Sequence, residues 1–370
     1  MVILAPQSAA PSGSTEKSSQ AVAPNPFTKA AKRKIEPFLD ISNTLGTSSK
    51  TVQQVDIPAT GYLRHVVLDV EVTGVTAATY VADAPFSVLD NVTLADVNGQ
   101  PIVLLDGYEL YLANLFGGFS QNPDPAQSPT FVKGATGFRF QLRVPVEIVQ
   151  RNALGALPNL NAAMTYKLKM NLAPSAEVFA AVTGTPQVRI RAHVESWTNP
   201  VAADVRGVPN TTTPPALGTT QNWSLYSAPV TIGNNTVRLP RVGNTIRNLI
   251  FIARDVAGAR TDAIIPDEIT KLIDGNQWTR NAFQYEQQRM WELYGFGSSQ
   301  RPAGVWVVAL TDDFDGTPGE ELGEYWLPTT GATRLEVQGQ FKAAGSLAVI
   351  TNDILAVSAP TGGAGQTLGA

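Results

Sequence analysis

The chain of 370 residues contains no cysteine. That excludes disulfides, thiolate nucleophiles and zinc sites built on thiolates, and it leaves the redox compartment unread. Histidine occurs only twice, so most imidazole-based metal and triad chemistry is excluded as well. Charged residues make up only 16% of the chain and the net charge is −4, which gives no general attraction to nucleic acid. No apolar run approaches the roughly 18 residues needed to span a bilayer. The opening stretch, MVILAPQSAAPSGSTEKSSQ, has no basic start and a very short apolar run, so it does not read as a secretory signal. None of the motifs G-x-S-x-G, H-E-x-x-H and G-x-x-x-x-G-K-[ST] occurs.

What is present is turn-forming and strand-forming. The 31 glycines and 26 prolines favour many turns over long helices. Period-2 alternation dominates the apolar segments. In RHVVLDVEV, Val66, Leu68, Val70 and Val72 share one face, while His65, Asp69 and Glu71 share the other. FRFQLRVPV sets Phe138, Phe140, Leu142 and Val144 against Arg139, Gln141 and Arg143. MTYKLKMNL (Met164 to Leu172) and VRIRAHVESW (Val188 to Trp197) alternate in the same way. Each pattern predicts a strand with one dry face and one wet or interface face, and many such strands between turns predict sandwiches or barrels.

Three stretches break the pattern. Residues 1–36 are read as a flexible arm, rich in Ser, Ala, Pro and Gln up to Pro26 and basic thereafter. Its basic segment, PFTKAAKRKIEPF, is expected to form a short helix that Pro37 ends. Residues 201–221, rich in Pro, Thr and Gly, read as a linker between a first domain over 37–200 and a second over 222–358. Residues 359–370 read as a flexible tail.

The two domains repeat one another. VDIPATGYLRHVVLDVEV, from Val55, and VRLPRVGNTIRNLIFIARDV, from Val237, share the frame V-x-[IL]-P-x-x-G followed by [LI]-R and an apolar run. DVNGQ pairs with IDGNQ, and NLFGGF with ELYGFG. The offsets are 182, 177 and 178 positions (Gly61 to Gly243, Gln100 to Gln277, Leu115 to Leu293). Three pairs in one order at nearly one offset indicate two β domains of a single topology. Before the third pair each half carries a helix. Asp106 is placed to cap the first and Gly117 to end it; Thr279 and Gly295 are placed likewise on the second, with Phe283, Met290, Trp291 and Tyr294 on its apolar side.

IPATGYLRHVVLDVEV, LLDGYELYLANLFGGF, VPVEIVQRNALGALPNLNAAMTYKLKMNLAP, LPRVGNTIRNLIFIARD and DGNQ, taken as an ordered set, resemble the double jelly-roll major capsid proteins of the tectivirus-like lineage of icosahedral double-stranded DNA viruses. The likeness runs roughly from residue 35 to 355. It implies an all-β fold of two tandem eight-stranded jelly rolls with short helices between strands. It also implies a structural role and no catalysis: a homotrimer with six jelly rolls and a pseudo-hexagonal outline, tiling an icosahedral shell. The partners implied are further copies of the chain, vertex or minor capsid proteins, and in many members the lipid of an internal membrane. The chain would be made in the host cytoplasm and end in the virion, without cofactor and without specific nucleic-acid recognition.

Four groups of residues are candidates for something more. Lys29, Lys32, Arg33 and Lys34 carry cationic charge that could meet anionic lipid headgroups or packaged DNA, a role the resemblance places at the inner face; a solubilising arm is the alternative. Asp313, Asp315 and Glu320, in TDDFDGTPGEE, could offer oxygen ligands to a cation, although the spacing is not an EF-hand and a polar loop between strands is the favoured reading. His65 and His193 lie beside Asp69 and Glu195 on polar strand faces and read as solvated or interface histidines. Trp278, Trp291 and Glu292 would line a sugar cleft in a rival reading, a two-jelly-roll glycan-binding or glycan-cleaving protein; Trp291 is expected to pack instead. A minor virion or spike component is the remaining alternative.

Overall fold

The computed structural model describes residues 23–119, 124–295, 301–311 and 323–355. The first half runs α1 (Phe27–Ala30), β1 (Arg33–Thr44), β2 (Lys50–Asp56), β3 (Gly61–Tyr80), β4 (Leu89–Ala95), β5 (Pro101–Leu105), α2 (Gly107–Phe116), β6 (Val132–Gly134), β7 (Gly137–Pro145), β8 (Leu157–Asn159), β9 (Lys167–Leu172) and β10 (Phe179–Trp197). The second runs β11 (Thr220–Val230), β12 (Gly233–Leu239), β13 (Thr245–Asp255), β14 (Glu268–Ile273), β15 (Asn276–Ala282), α3 (Phe283–Tyr294), β16 (Val305–Ala309), β17 (Leu327–Pro328), β18 (Leu335–Phe341) and β19 (Gly345–Leu355).

Strand order shows the repeat directly. The first half pairs β1-β10-β3-β7 in one sheet and β5-β4-β9-β2 in the other. The second half pairs β11-β19-β13-β16 and β15-β14-β18-β12. Laid side by side these are the same order, and each half is an eight-stranded jelly roll. The predicted alternation holds in the walls. Phe138, Phe140, Leu142 and Val144 point into the first barrel, as do Val188, Ile190, Ala192 and Val194. β13 departs from alternation: Ile246 to Ala253 are buried on both faces. A strand dry on both sides reads as a continuous apolar run, and here the second dry side faces the other barrel.

The barrels are not separate bodies on a linker. β5 pairs in parallel with β11 (Trp223 opposite Val103, Ser224 opposite Leu104), fusing two four-stranded sheets into one path. One apolar core runs through both barrels. α2 lies between them, and every residue from Gly107 to Phe116 is buried.

Local expectations fail at several points. The basic helix ends at Ala30; Arg33 and Lys34 already belong to β1, and Pro37 sits inside that strand at a bulge rather than ending a helix. β1 is an edge strand, where a residue without an N–H is tolerated. Thr279 is not a cap, because β15 continues to Ala282 and α3 starts directly after it. Asp106 stands at the N-cap of α2 but its side chain makes no capping hydrogen bond. Met164 precedes β9 and is exposed.

Candidate functional site

The repeated phrase marks the most unusual chemistry in the chain. In β3, His65 stands opposite Glu195 and Leu63 opposite Ser196, leaving Arg64 as the extra residue of a β-bulge. In β13, Asn248 stands opposite Asn352 and Ile246 opposite Asp353, leaving Arg247 extra in the same place. Both arginines are buried, at 2% and 0% exposure. Each backbone carbonyl receives the chain that leaves the neighbouring strand: Glu147 N–H donates to Arg64 (2.7 Å) and Leu310 N–H to Arg247 (3.0 Å). The [LI]-R of the two phrases is therefore a bulge that sets a buried charged side chain at the same corner of each barrel.

The partners differ. Arg64 holds Glu147 through Nε (2.8 Å) and Nη2 (2.7 Å), and reaches Glu195 through Nη1 (3.3 Å). Trp197 Nε1 donates to the other oxygen of Glu147 (2.7 Å), and the guanidinium lies 4.7 Å from the Trp197 ring centre. His65 Nε2 lies 3.0 Å from Glu195 Oε2. Burial pushes the imidazole of His65 down to about 4 despite that carboxylate, so it is neutral at physiological pH. Burial works to raise Glu195, but His65 and the charges of Arg143 and Arg64 hold it down to about 2. The histidine read as solvated or interface is thus a buried one; His193 remains half-buried. Arg247 reaches the Gly117 carbonyl at the end of α2 (2.9 Å) and Asn352 Oδ1 (3.4 Å). Among the described residues no group of three His, Asp or Glu side chains is arranged to hold a metal.

Over the Arg64 cluster sits the arm. Phe27 is buried against Tyr62 (ring centres 5.3 Å) and Trp197 (6.1 Å), both edge-on, with Ala31, Ala153 and Ala156 completing the socket. Asn25 is tied to the connection between the barrels: its N–H donates to Pro209 O (2.9 Å) and its carbonyl accepts from Thr211 N–H (2.9 Å). Lys29, Lys32, Arg33 and Lys34 all emerge exposed here. Lys34 pairs with Glu36 (2.7 Å), and Arg33 lies 5.3 Å from the Trp197 ring centre. The four cations are thus spread over the end of α1 and the start of β1, and two of them already have partners. Asp313, Asp315 and Glu320 lie outside the described residues.

The seam between the barrels is held by charge as well as by the shared sheet. Arg254 and Arg260, from the second barrel, grip the two oxygens of Asp83 in the first (2.6 Å each). Arg254 also reaches Glu109 (3.4 Å), and Arg260 lies 4.4 Å from the Tyr108 ring centre. Trp223 packs edge-on against Phe119, at 6.1 Å. Beside this clamp opens a cleft lined by Asp90, Asp106, Tyr108, Glu109 and Arg254 among others. Burial, with Glu109 and Asp90 nearby, pushes the Asp106 carboxyl up to about 7. Trp291 does not pack as its place on the helix led us to expect: it is 54% exposed, because only Phe283, Glu286 and Met290 of α3 turn inward. Trp278 is partly buried against the core.

Sequence reasoning missed Arg64 and Arg247 as functional positions although both stand in the repeated phrase. Alternation places adjacent residues on opposite faces, and a bulge cannot be seen in it.

No model of a protein family matches the sequence, and neither does any curated protein. Solved structures do match. The major capsid protein of STIV (Sulfolobus turreted icosahedral virus) superposes with a TM-score of 0.62 at 11% identity, covering 88% of this chain and 97% of that one. A capsid chain of the PBCV-1 virus gives 0.59 at 11% identity, covering 88% and 94%. The major capsid protein from bacteriophage PM2 gives 0.54 at 14% identity, covering 88% and 98%. With two jelly rolls of one strand order, spanned nearly end to end by these matches, the chain has the double jelly-roll fold of viral major capsid proteins.

Proposed function

We propose that this chain is the major capsid protein of an icosahedral virus, associating as a homotrimer whose six barrels give a pseudo-hexagonal tile. The observation that carries the reading is the seam. Two barrels of identical strand order are fused side by side through β5 and β11 and clamped by Arg254, Arg260 and Asp83. Such a subunit is a rigid pair of like units, the form needed to present six equivalent walls from three chains. The fold likeness to capsid proteins over 88% of the chain supports the same role.

On this reading the socketed arm lies at the inner end of the tile. Lys29, Lys32 and Arg33 face anionic lipid headgroups or packaged nucleic acid there, by charge and without sequence recognition. Vertex and minor proteins complete the shell, and the chain is made in the host cytoplasm. Light scattering on the purified chain tests the reading. The expected mass is three times that of the 39.4 kDa chain, with hexagonal outlines in negative stain. A monomer at every concentration, forming no particles with the other virion proteins, would overturn it. Copy number per particle separates the shell protein from a spike or minor component.

A further inference from the structure

We propose that the second barrel forms a covalent cross-link within itself, an isopeptide bond between the side chains of Lys271 and Asn281, with Glu286 as its catalytic residue. The bond ties the edge strand β15 to β14. It needs no partner and no second copy of the chain, and it forms whether or not the chain builds a shell.

The three side chains meet inside the barrel. Lys271 is 2% exposed and Glu286 is 3% exposed. Glu286 Oε1 accepts from Lys271 Nζ (2.5 Å) and from Asn281 Nδ2 (3.1 Å). One carboxylate oxygen thus touches both the amine and the amide. Strand register puts them there. Ile269 stands opposite Asn281 and Lys271 opposite Thr279, so all four share one face of the β14-β15 hairpin. Lys271 and Asn281 are diagonal neighbours on that face, a separation that a lysine side chain spans. Glu286 reaches them from α3, on the side that also turns Phe283 and Met290 inward.

The first barrel shows what the fold itself requires at these places. Each hairpin shifts register directly after one residue of its first strand, Lys271 in β14 and Leu94 in β4. Two positions earlier, Ile269 faces Asn281 as Val92 faces Leu105. The fourth residue of α3 is Glu286, and that of α2 is Leu110. Lys271, Asn281 and Glu286 therefore stand where the first barrel has three leucines, all of them buried. Apolar packing serves a barrel as well as a buried ion pair does, or better, so stability does not explain the exchange. The choice of cation points the same way. The buried carboxylates of Asp69, Glu147 and Asp353 are met by arginines. Arginine keeps its proton, whereas a lysine held out of water can give its proton up and act as a nucleophile.

The reaction balances with these atoms alone. Glu286 takes one proton from the Lys271 ammonium and frees the amine. Nζ attacks Cγ of Asn281, and one further proton passes from Nζ to Nδ2 by way of the carboxyl group that touches both. The Cγ–Nδ2 bond breaks and ammonia leaves. The new Nζ–Cγ amide keeps one hydrogen, and Glu286 keeps the proton it took, so no charge is stranded in the interior. Nothing is oxidised or reduced. Holding amine, amide and carboxyl group together makes the step unimolecular. Asn281 is only half-buried, which leaves the ammonia a way out.

Mass spectrometry of the denatured chain reads the bond. Trypsin cuts after free lysine and arginine. The native chain should therefore yield residues 261–280 uncut at Lys271, joined through a side chain to residues 281–289 and lighter by one ammonia. Fragmentation should place the branch on Lys271 and Asn281. Glu286→Gln and Lys271→Met should each restore separate peptides of full mass. A native chain of full mass would overturn the bond. So would a lost ammonia with normal cleavage after Lys271, the mark of an Asn281 cyclised on its own backbone. A Glu286→Gln chain that still cross-links would overturn the catalytic role of Glu286. Should either variant fail to fold, the native mass and tryptic map decide alone. None of these readings depends on the oligomeric state, so failure here leaves the capsid reading standing.

Discussion

Replacing Arg64 by methionine tests the bulged corner most severely. Methionine keeps most of the side-chain length but removes the charge and every donor. Glu147, itself buried, then loses the Nε and Nη2 contacts and keeps only the indole of Trp197. Glu195 loses its contact with Nη1. Removing one partner of a buried ion pair leaves an uncompensated charge, at a cost of about 3–5 kcal/mol. Arg247→Met removes the hydrogen bonds to the Gly117 carbonyl and Asn352 Oδ1, about 1–3 kcal/mol for that loss. The assay is chemical denaturation of both variants, followed from pH 8 to pH 5. Once Arg64 is gone, burial and an absent counter-charge both favour protonated Glu147. The Arg64→Met deficit should therefore shrink as pH falls, and Glu147→Gln added to Arg64→Met should recover part of it at pH 8. An Arg64→Met deficit flat with pH would refute the assignment of the Arg64 corner as a stranded-charge site.

Three further outcomes are expected. Gly61→Ala should destabilise far more than Gly243→Ala in a thermal melt: a Cβ at Gly61 (φ +136°) would stand 2.0 Å from the Trp197 carbonyl, whereas at Gly243 (φ +97°) nothing lies within 4 Å and only backbone strain of about 1–3 kcal/mol remains. Asp106→Asn should stabilise the protein at pH 8 by up to about 4 kcal/mol and do little at pH 4. The sign follows from a folded value of about 7 above an ordinary 3.8: the folded chain keeps a proton that the unfolded chain releases, so this group's contribution to stability falls between pH 4 and 7, and the fall should be smaller in the variant. Phe27→Ala should free the arm at about 3–5 kcal/mol, speeding tryptic cleavage after Lys29 by two orders of magnitude or more with the barrels still folded; an unchanged cleavage rate would show that the socket does not hold the arm.

Much of the fold was legible because its signals are local. Alternation in FRFQLRVPV and VRIRAHVESW placed β7 and β10 with their dry faces inward, and the doubled phrase revealed two barrels before any strand was paired. What stayed hidden depends on distant partners. A bulge is defined by the opposite strand, so nothing marked Arg64 as its extra residue, and His65 read as a wet-face residue. The pairing of β5 with β11 joins segments about a hundred residues apart with no sequence mark at either. Helical periodicity put Trp291 on an apolar side but could not say that α3 turns only Phe283, Glu286 and Met290 inward. Of the basic segment, the charges were legible and the strand that takes up Arg33 and Lys34 was not.

The nine-stranded sheet running from β16 through β11 and β5 to β2 has a mechanical consequence. Backbone hydrogen bonds continue across the boundary between barrels, and the Arg254–Asp83 clamp braces it from the side. Bending the subunit there means breaking a ladder and a partly buried ion pair together, so the pair of barrels resists flexure as one plate. On the capsid reading proposed above, a curved shell built from such plates would take its curvature at the joints between molecules and not within them.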